Sequence, residues 1–297
     1  MNAMLINEIT KFGSLPADKS LIDKGFDFEG YTMAIKRAAI DLTPRTLSPK
    51  PDQSGDLVSE LLLKSDSESF LNKIAAYFKD DPQENFDSWH DALCKNVLKV
   101  IRKHYTNKDG SKVCYGKAQK LVNMTLKGCY CLNGALDEDK KEYFAPCHMA
   151  LDSFTLAWYN RNVSREERTQ VAWSNLDEAE YKRIIGNMKK IEPDIKLFKG
   201  LTLLQKEFLI WPLEIMINTV KEVNKCFGGL IEGDHVEEYF NKHKLANDLM
   251  MANIILDRNA PTVLNDDIVK MLKKIPKNQR GKVASAEFIL GKYGISL

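Results

Sequence analysis

Apolar residues recur along this chain every three or four positions, with no sustained alternation of period two, so the pattern predicts helices throughout. Residues 1–42 read as short helices joined by Gly and Pro turns. The stretch FDFEGYTMAIKRAAIDL has room for a short strand, although its spacing also fits a helix. Thr43–Asp56, TPRTLSPKPDQSGD, is rich in Pro, Ser and Asp and reads as an exposed loop or linker. A helix follows over about 57–64. Another starts after the Ser65-Asp66-Ser67 cluster and reaches about Tyr77, with Phe70, Leu71, Ile74 and Ala75 on one face. Asp87 or Ser88 is positioned to cap a long helix, Trp89 to about Tyr105, whose apolar residues are Trp89, Leu93, Val97, Val100 and Ile101; a Lys-Asp-Gly turn ends it. The next helix runs from Lys112 or Gly116 to Cys131, then comes an acidic loop over 133–142. Pro146 precedes a helix over about 149–159, and Ser174 to Asp177 open one that lasts to about Ile191. Further helical periods follow at 201–229, where Pro212 kinks or restarts the helix, and at 234–240, 245–255, 266–274 and 285–293.

The pattern therefore gives an all-α protein of two packed helical lobes with little strand. Residues 1–56 form an N-terminal segment and linker, 57–200 a first lobe and 201–297 a C-terminal lobe. No run of about eighteen apolar residues is present, so no membrane span is expected. The N-terminus lacks the apolar core of a signal peptide. The six cysteines include no Cys-x-x-Cys pair, and a reduced cytoplasmic setting is the plain reading. Net charge is only +2, but it is segregated. Residues 52–91 hold ten acidic residues against three lysines, 92–130 hold nine basic residues against Asp109, and 270–297 hold seven basic residues against Glu287. Such blocks either form an anion-binding surface or meet acidic segments of the same chain or of a partner.

The densest chemistry lies between Tyr115 and Asp152. On a helix, Gln119, Asn123 and Lys127 fall at i, i+4 and i+8 as a polar stripe, with Lys117 and Lys120 beside it and Leu121, Val122, Met124 and Leu126 around it. A helix this apolar is expected to be buried, so the stripe needs partners, because an unpaired buried polar group costs about 1–3 kcal/mol. His148 and Asp152, four apart at the start of the following helix, are the obvious ones. The same layout also suits a buried network that fixes helix register, and a third reading of the stripe is a small-nucleotide site.

Gly116-Lys117-Ala118-Gln119-Lys120 followed by an apolar helix, then Ala150-Leu151-Asp152-Ser153 and another apolar helix, resembles the helix-hairpin-helix DNA glycosylases over about residues 113–155. In that family a lysine near the start of one helix attacks deoxyribose C1′, and an aspartate capping a later helix stabilises the cationic sugar and assists proton transfer. The resemblance implies Asp152 as the aspartate and Lys120 or Lys117 as the nucleophile. Gln119, Asn123, Lys127 and His148 would contact the base or ligand. Lys95, Lys99, Arg102, Lys103 and Lys112 would track phosphates. It implies nucleic acid as the partner and neither cofactor nor metal. Where the family has a Gly-rich hairpin, this chain has Val113-Cys114-Tyr115-Gly116. Trp89-His90 with Cys94, the 116–127 helix, then His148 and Asp152 are also similar to hypothetical proteins of bacteria and phages. That likeness points to the alternative, a non-catalytic interaction factor in phage–host conflict, an inhibitor or defence component with a protein partner.

Other constellations are thinner. His90 and Cys94 with Cys147 and His148 have zinc-ligand chemistry without the tight paired spacing of zinc sites. Cys129 and Cys131 read as small core residues, His104 as solvated in a basic run, and Trp211 as core. Phosphate-loop, dinucleotide-binding, nucleophile-elbow and His-Glu-x-x-His motifs are absent.

Overall fold

In a computed structural model, residues 9, 28–51, 56–63, 65–79, 85–134, 141–191, 198–211, 213–214, 218, 269, 273 and 294–296 are described. The helices expected at 234–240, 245–255 and 285–293, with Cys226, His235 and His243, lie outside them. The described elements are α1 (Phe28–Thr46), β1 (Leu47–Pro49), α2 (Leu57–Leu61), α3 (Phe70–Tyr77), α4 (Phe86–His104), β2 (Tyr105–Asn107), α5 (Tyr115–Cys129), a π-helical turn (Tyr130–Gly134), α6 (Lys141–Phe144), α7 (Ser153–Arg161), two 3-10 turns (Arg165–Glu167 and Trp173–Asn175) and α8 (Glu178–Met188). The all-α architecture expected from the periodicity is what these residues form, with one short two-stranded sheet. The chain divides into two compact units, Met1–Pro193 with Phe198–Leu209, and Asp194–Leu197 with Ile210–Leu297. In the second unit, residues 210, 211, 213, 214, 218, 269 and 273 are helical, and Trp211, expected in a core, is 38% exposed.

The first unit is organised around α5. Of its fifteen residues only Lys120 and Met124 are not buried, so one strip of the helix reaches the surface. Helices α1 and α4 both pack on it. The α1 face is built from Ala34, Ile35, Ala38, Ala39 and Leu42, all buried. These small residues permit a close approach, because a β-carbon at Gly128 would sit 3.0 Å from that of Ala34. The N-terminal amide of Gly116 donates to the Leu176 carbonyl (2.9 Å), which ties the first turn of α5 to the Trp173–Asn175 turn. Helical residues 203–209 follow a capping box. Thr202 Oγ1 accepts from the Gln205 amide at 3.2 Å, and Gln205 Oε1 accepts from the Thr202 amide at 3.1 Å.

Several boundaries differ from the expected ones. The 43–56 loop begins as helix, because α1 continues to Thr46, and then as strand. Leu47, Ser48 and Pro49 pair antiparallel with Asn107, Thr106 and Tyr105. Pro49 is tolerated because a two-stranded sheet consists of edges. α3 is capped by Ser69, not by the 65–67 cluster, and α4 by Asn85, which leaves the Asp87 carboxylate available for other contacts. The expected turn after α4 is present, with Gly110 at φ 80°. The largest change concerns α7, which starts at Ser153. Residues 147–152 have no helical backbone.

Candidate functional site

Two helix-forming rules bring Lys120 and Asp152 together. Lys120 occupies the surface strip of α5. Asp152 is the N-cap of α7, with extended backbone (φ −138°, ψ −171°) and Oδ1 accepting from the amides of Phe154 (3.0 Å) and Thr155 (3.1 Å). Thr155 Oγ1 accepts from the Asp152 amide at 2.7 Å, completing a capping box. That leaves Oδ2, which accepts from Lys120 Nζ at 3.0 Å. The side chains are 15% and 5% exposed, so the pair borders solvent through the lysine. The face of Trp173 lies against the same nitrogen, its ring centroid 4.9 Å away.

Lys117, one turn earlier, points elsewhere. It is buried and donates to the Thr46 carbonyl at the C-terminus of α1, where a cation meets the negative end of the helix dipole. Burial lowers its pKa, and Asp109 opposes this only in part.

The polar stripe grips backbone. Gln119 Nε2 donates to the carbonyls of Gly116 (2.8 Å) and Leu151 (2.9 Å), and its Oε1 accepts from the Leu151 amide at 3.1 Å. Asn123 Nδ2 lies 3.2 Å from the Met149 carbonyl, 3.0 Å from Gln119 Oε1 and 3.0 Å from Tyr181 Oη. Lys127 pairs with Glu207 at 2.8 Å, with side chains 4% and 0% exposed, and the other Glu207 oxygen accepts from the Ala150 amide at 2.7 Å. Residues 149, 150 and 151 are thus each held by a side chain, in place of the helical ladder expected over 149–159. His148, expected to share a helix face with Asp152, instead belongs to a second chain of bonds. Its Nε2 lies 2.8 Å from Asp87 and its Nδ1 2.9 Å from Tyr181 Oη. Because Asn123 supplies an amide donor to Tyr181, the phenol donates to Nδ1 and the imidazole N–H at Nε2 donates to Asp87. His90 Nε2 donates to Asn123 Oδ1 at 2.8 Å.

Burial holds both imidazoles toward their neutral forms. It pushes His90 down to about 3 and lowers His148 against the opposing pull of Asp87. The bond from His148, reinforced by Lys189, keeps Asp87 well below the usual carboxylate range. Burial also raises the Tyr181 phenol far above its ordinary value. Gln119, Asn123, Lys127 and His148 therefore have their polar atoms engaged inside the protein, and all four are buried. The zinc alternative finds no geometry, since no group of three or more metal-ligating side chains converges among the described residues. His90 and Cys94 approach only to 3.7 Å, and the five described cysteines are free.

The expected phosphate contacts divide. Lys99 and Lys112 are exposed. Lys95 bridges Asp91 (2.9 Å) and Glu178 (3.0 Å), Lys103 pairs with Glu60 at 2.9 Å, and Arg102 Nε donates to the Val113 carbonyl at 2.8 Å. His104 is buried and bonded to Glu60, not solvated. Among the described residues no helix is long and apolar enough to cross a membrane.

Trp173, Glu207, Tyr181 and Asp87 complete these arrangements and have no motif of their own. A usable signal existed for the cap alone, since Asp152-x-x-Thr155 is capping-box spacing; Glu207 follows Gln205 and Lys206 and does not stand out. Comparison of the chain with family models, curated proteins and solved structures gives no match.

Proposed function

We propose that this is a nucleic-acid-binding protein with base-excision chemistry of the lysine–aspartate type. Lys120 serves as the amine nucleophile and Asp152 as the carboxylate beside it. The observation that carries the reading is the 3.0 Å contact between these groups at the one strip of α5 that reaches the surface. The ammonium passes its proton to Asp152 Oδ2, and the neutral amine attacks the sugar C1′. The C1′–N bond to the base breaks, the base leaving with the electron pair and taking the proton held by Asp152. The C1′–O4′ bond then opens as O4′ takes a proton from the attached nitrogen by way of the carboxylate, and an iminium between C1′ and Lys120 Nζ remains. The carboxylate stabilises positive charge on the sugar as it develops. Lys99 and Lys112 are the first choices for phosphate contacts. Lys95 and Lys103 would exchange their carboxylate partners for phosphates, at a modest cost because those pairs are exposed.

Fluorescence anisotropy on a duplex with a central abasic analogue and on the intact duplex, at low and moderate salt, tests binding. The expected result is tighter, salt-sensitive binding to the abasic analogue. Asp152→Asn keeps a competent N-cap and should keep that binding while turnover falls by about a hundredfold or more. Unchanged turnover in Asp152→Asn removes the site assignment. Absence of binding to either duplex removes nucleic acid as the partner and directs attention to a protein partner.

A further inference from the structure

We infer that Trp173 is a positioning residue for Lys120, its indole face forming the floor that aims the lysine nitrogen at Asp152 and so at the sugar carbon. The inference rests on the reading of Lys120 as an amine nucleophile. A lysine on a helix surface has four rotatable bonds and ordinarily samples many rotamers. Here two features remove that freedom. Asp152 Oδ2 fixes the nitrogen from one side at 3.0 Å. The Trp173 ring, 4.9 Å from the nitrogen, holds it by cation–π attraction, for which tryptophan is the strongest of the aromatic side chains. The backbone that carries the ring is fixed to the helix that carries Lys120. Trp173 opens a 3-10 turn closed by the Asn175 amide on the Ala172 carbonyl at 2.8 Å, and the fully buried Leu176 just beyond receives the Gly116 amide. The absence of a side chain at Gly116 lets the Trp173 backbone come so close that a β-carbon there would lie 1.9 Å from its carbonyl oxygen. Nucleophile, carboxylate and indole are thus referred to one rigid frame, the condition under which orientation accelerates a reaction. The indole acts on the lysine and not on the base, so its loss should slow bond formation and leave affinity alone.

The test uses the full-length protein and a duplex carrying one abasic deoxyribose aldehyde, with sodium cyanoborohydride to trap the Lys120 adduct. Wild type, Lys120→Met, Trp173→Leu and Trp173→Phe are compared. Melting temperature is recorded for each, and binding to a reduced abasic analogue is measured in parallel. The expected result is adduct in wild type and none in Lys120→Met. In Trp173→Leu the trapping rate falls about ten- to a hundredfold with affinity within about twofold of wild type. Trp173→Phe should recover most of the loss, because a ring face is restored. Should the leucine variant unfold, Trp173→Met replaces it, filling the space without a ring. Trapping at the wild-type rate without the ring overturns the role of Trp173 and leaves the function standing, and so does an equal loss of trapping and affinity. Absence of Lys120-dependent adduct in wild type overturns both.

Discussion

A glutamine side chain carries the same donor and acceptor as a peptide unit, and Gln119 uses both against Leu151, as a neighbouring strand would. This pairing satisfies both backbone groups of Leu151 inside the protein, where no helical ladder does so, and delivers Asp152 to the start of α7. Gln119→Leu keeps the volume and strands the Leu151 amide and carbonyl together. It should destabilise by about 2–5 kcal/mol, measured as a drop in the urea midpoint at unchanged slope. A loss under about 1 kcal/mol would mean that the segment is held mainly by Glu207 and Thr155. At this scale the sequence was informative in part. The i, i+4, i+8 stripe and its need for partners were visible, because periodicity and burial are local properties. The partner was not, because a peptide backbone has no residue type to look for. Nor could Lys117 be told from Lys120. They are three apart and chemically alike, and what separates them is the end of α1 at Thr46, far away in sequence.

Among the elements, the contact between α5 and the Trp173–Asn175 turn has a sharp consequence for two glycines. An alanine in place of a helical glycine normally stabilises by about 0.5–1 kcal/mol. At Gly186 in α8 nothing lies within 4 Å of the added carbon, so Gly186→Ala should raise the melting temperature. At Gly116 the same change meets the Trp173 carbonyl at 1.9 Å and should lower stability by about 1–3 kcal/mol. It should also move the indole off Lys120, seen as a change in near-ultraviolet circular dichroism. Equal melting temperatures for the two variants would show that the turn yields freely. The longer helices were legible, because amphipathic period needs only local spacing, whereas the four-residue α6 (Lys141–Phe144), beside the stretch read as an acidic loop, was not. Helix starts were less so. Ser69 and Asn85 compete with equally good capping residues nearby, and the choice depends on how the chain enters the core. Strands of three residues, such as 47–49, are too short to display a period at all.

Across the whole described unit, the segregation of charge in the sequence finds a use within the fold. The acidic block meets the basic one through Glu60 with Lys103 and His104, and through Asp91 with Lys95; Lys182, from α8, joins the second pair. Exposed pairs of this kind contribute about 0–1 kcal/mol each, so they are not the main electrostatic term. The buried imidazoles are. His90 and His148 lie side by side, ring centroids 4.7 Å apart, with Asp87, Asp91, Lys189 and Tyr181 around them, and both are held below the free histidine value. Below about pH 6.5 the unfolded chain protonates these histidines while the folded protein does not, so the unfolded state binds more protons and stability falls as pH falls. For His90 the fall continues to about pH 3. The fully developed slope is about 1.4 kcal/mol per pH unit for each histidine that stays neutral. Asp87, depressed by His148 and Lys189, adds a second loss below about pH 4, where its unfolded form takes up a proton first. Protonating His148 would also turn its Nδ1 from acceptor to donor against the Tyr181 hydroxyl, which couples the loss to the network behind residues 149–151. Urea midpoints between pH 7.5 and 4.5 should therefore decline from about pH 6.5. His90→Gln, which can still donate to Asn123, should make the decline shallower. A midpoint that stays level down to pH 5 would mean that the imidazoles titrate with solvent access, and that the α4–α5–α8 junction is open to water.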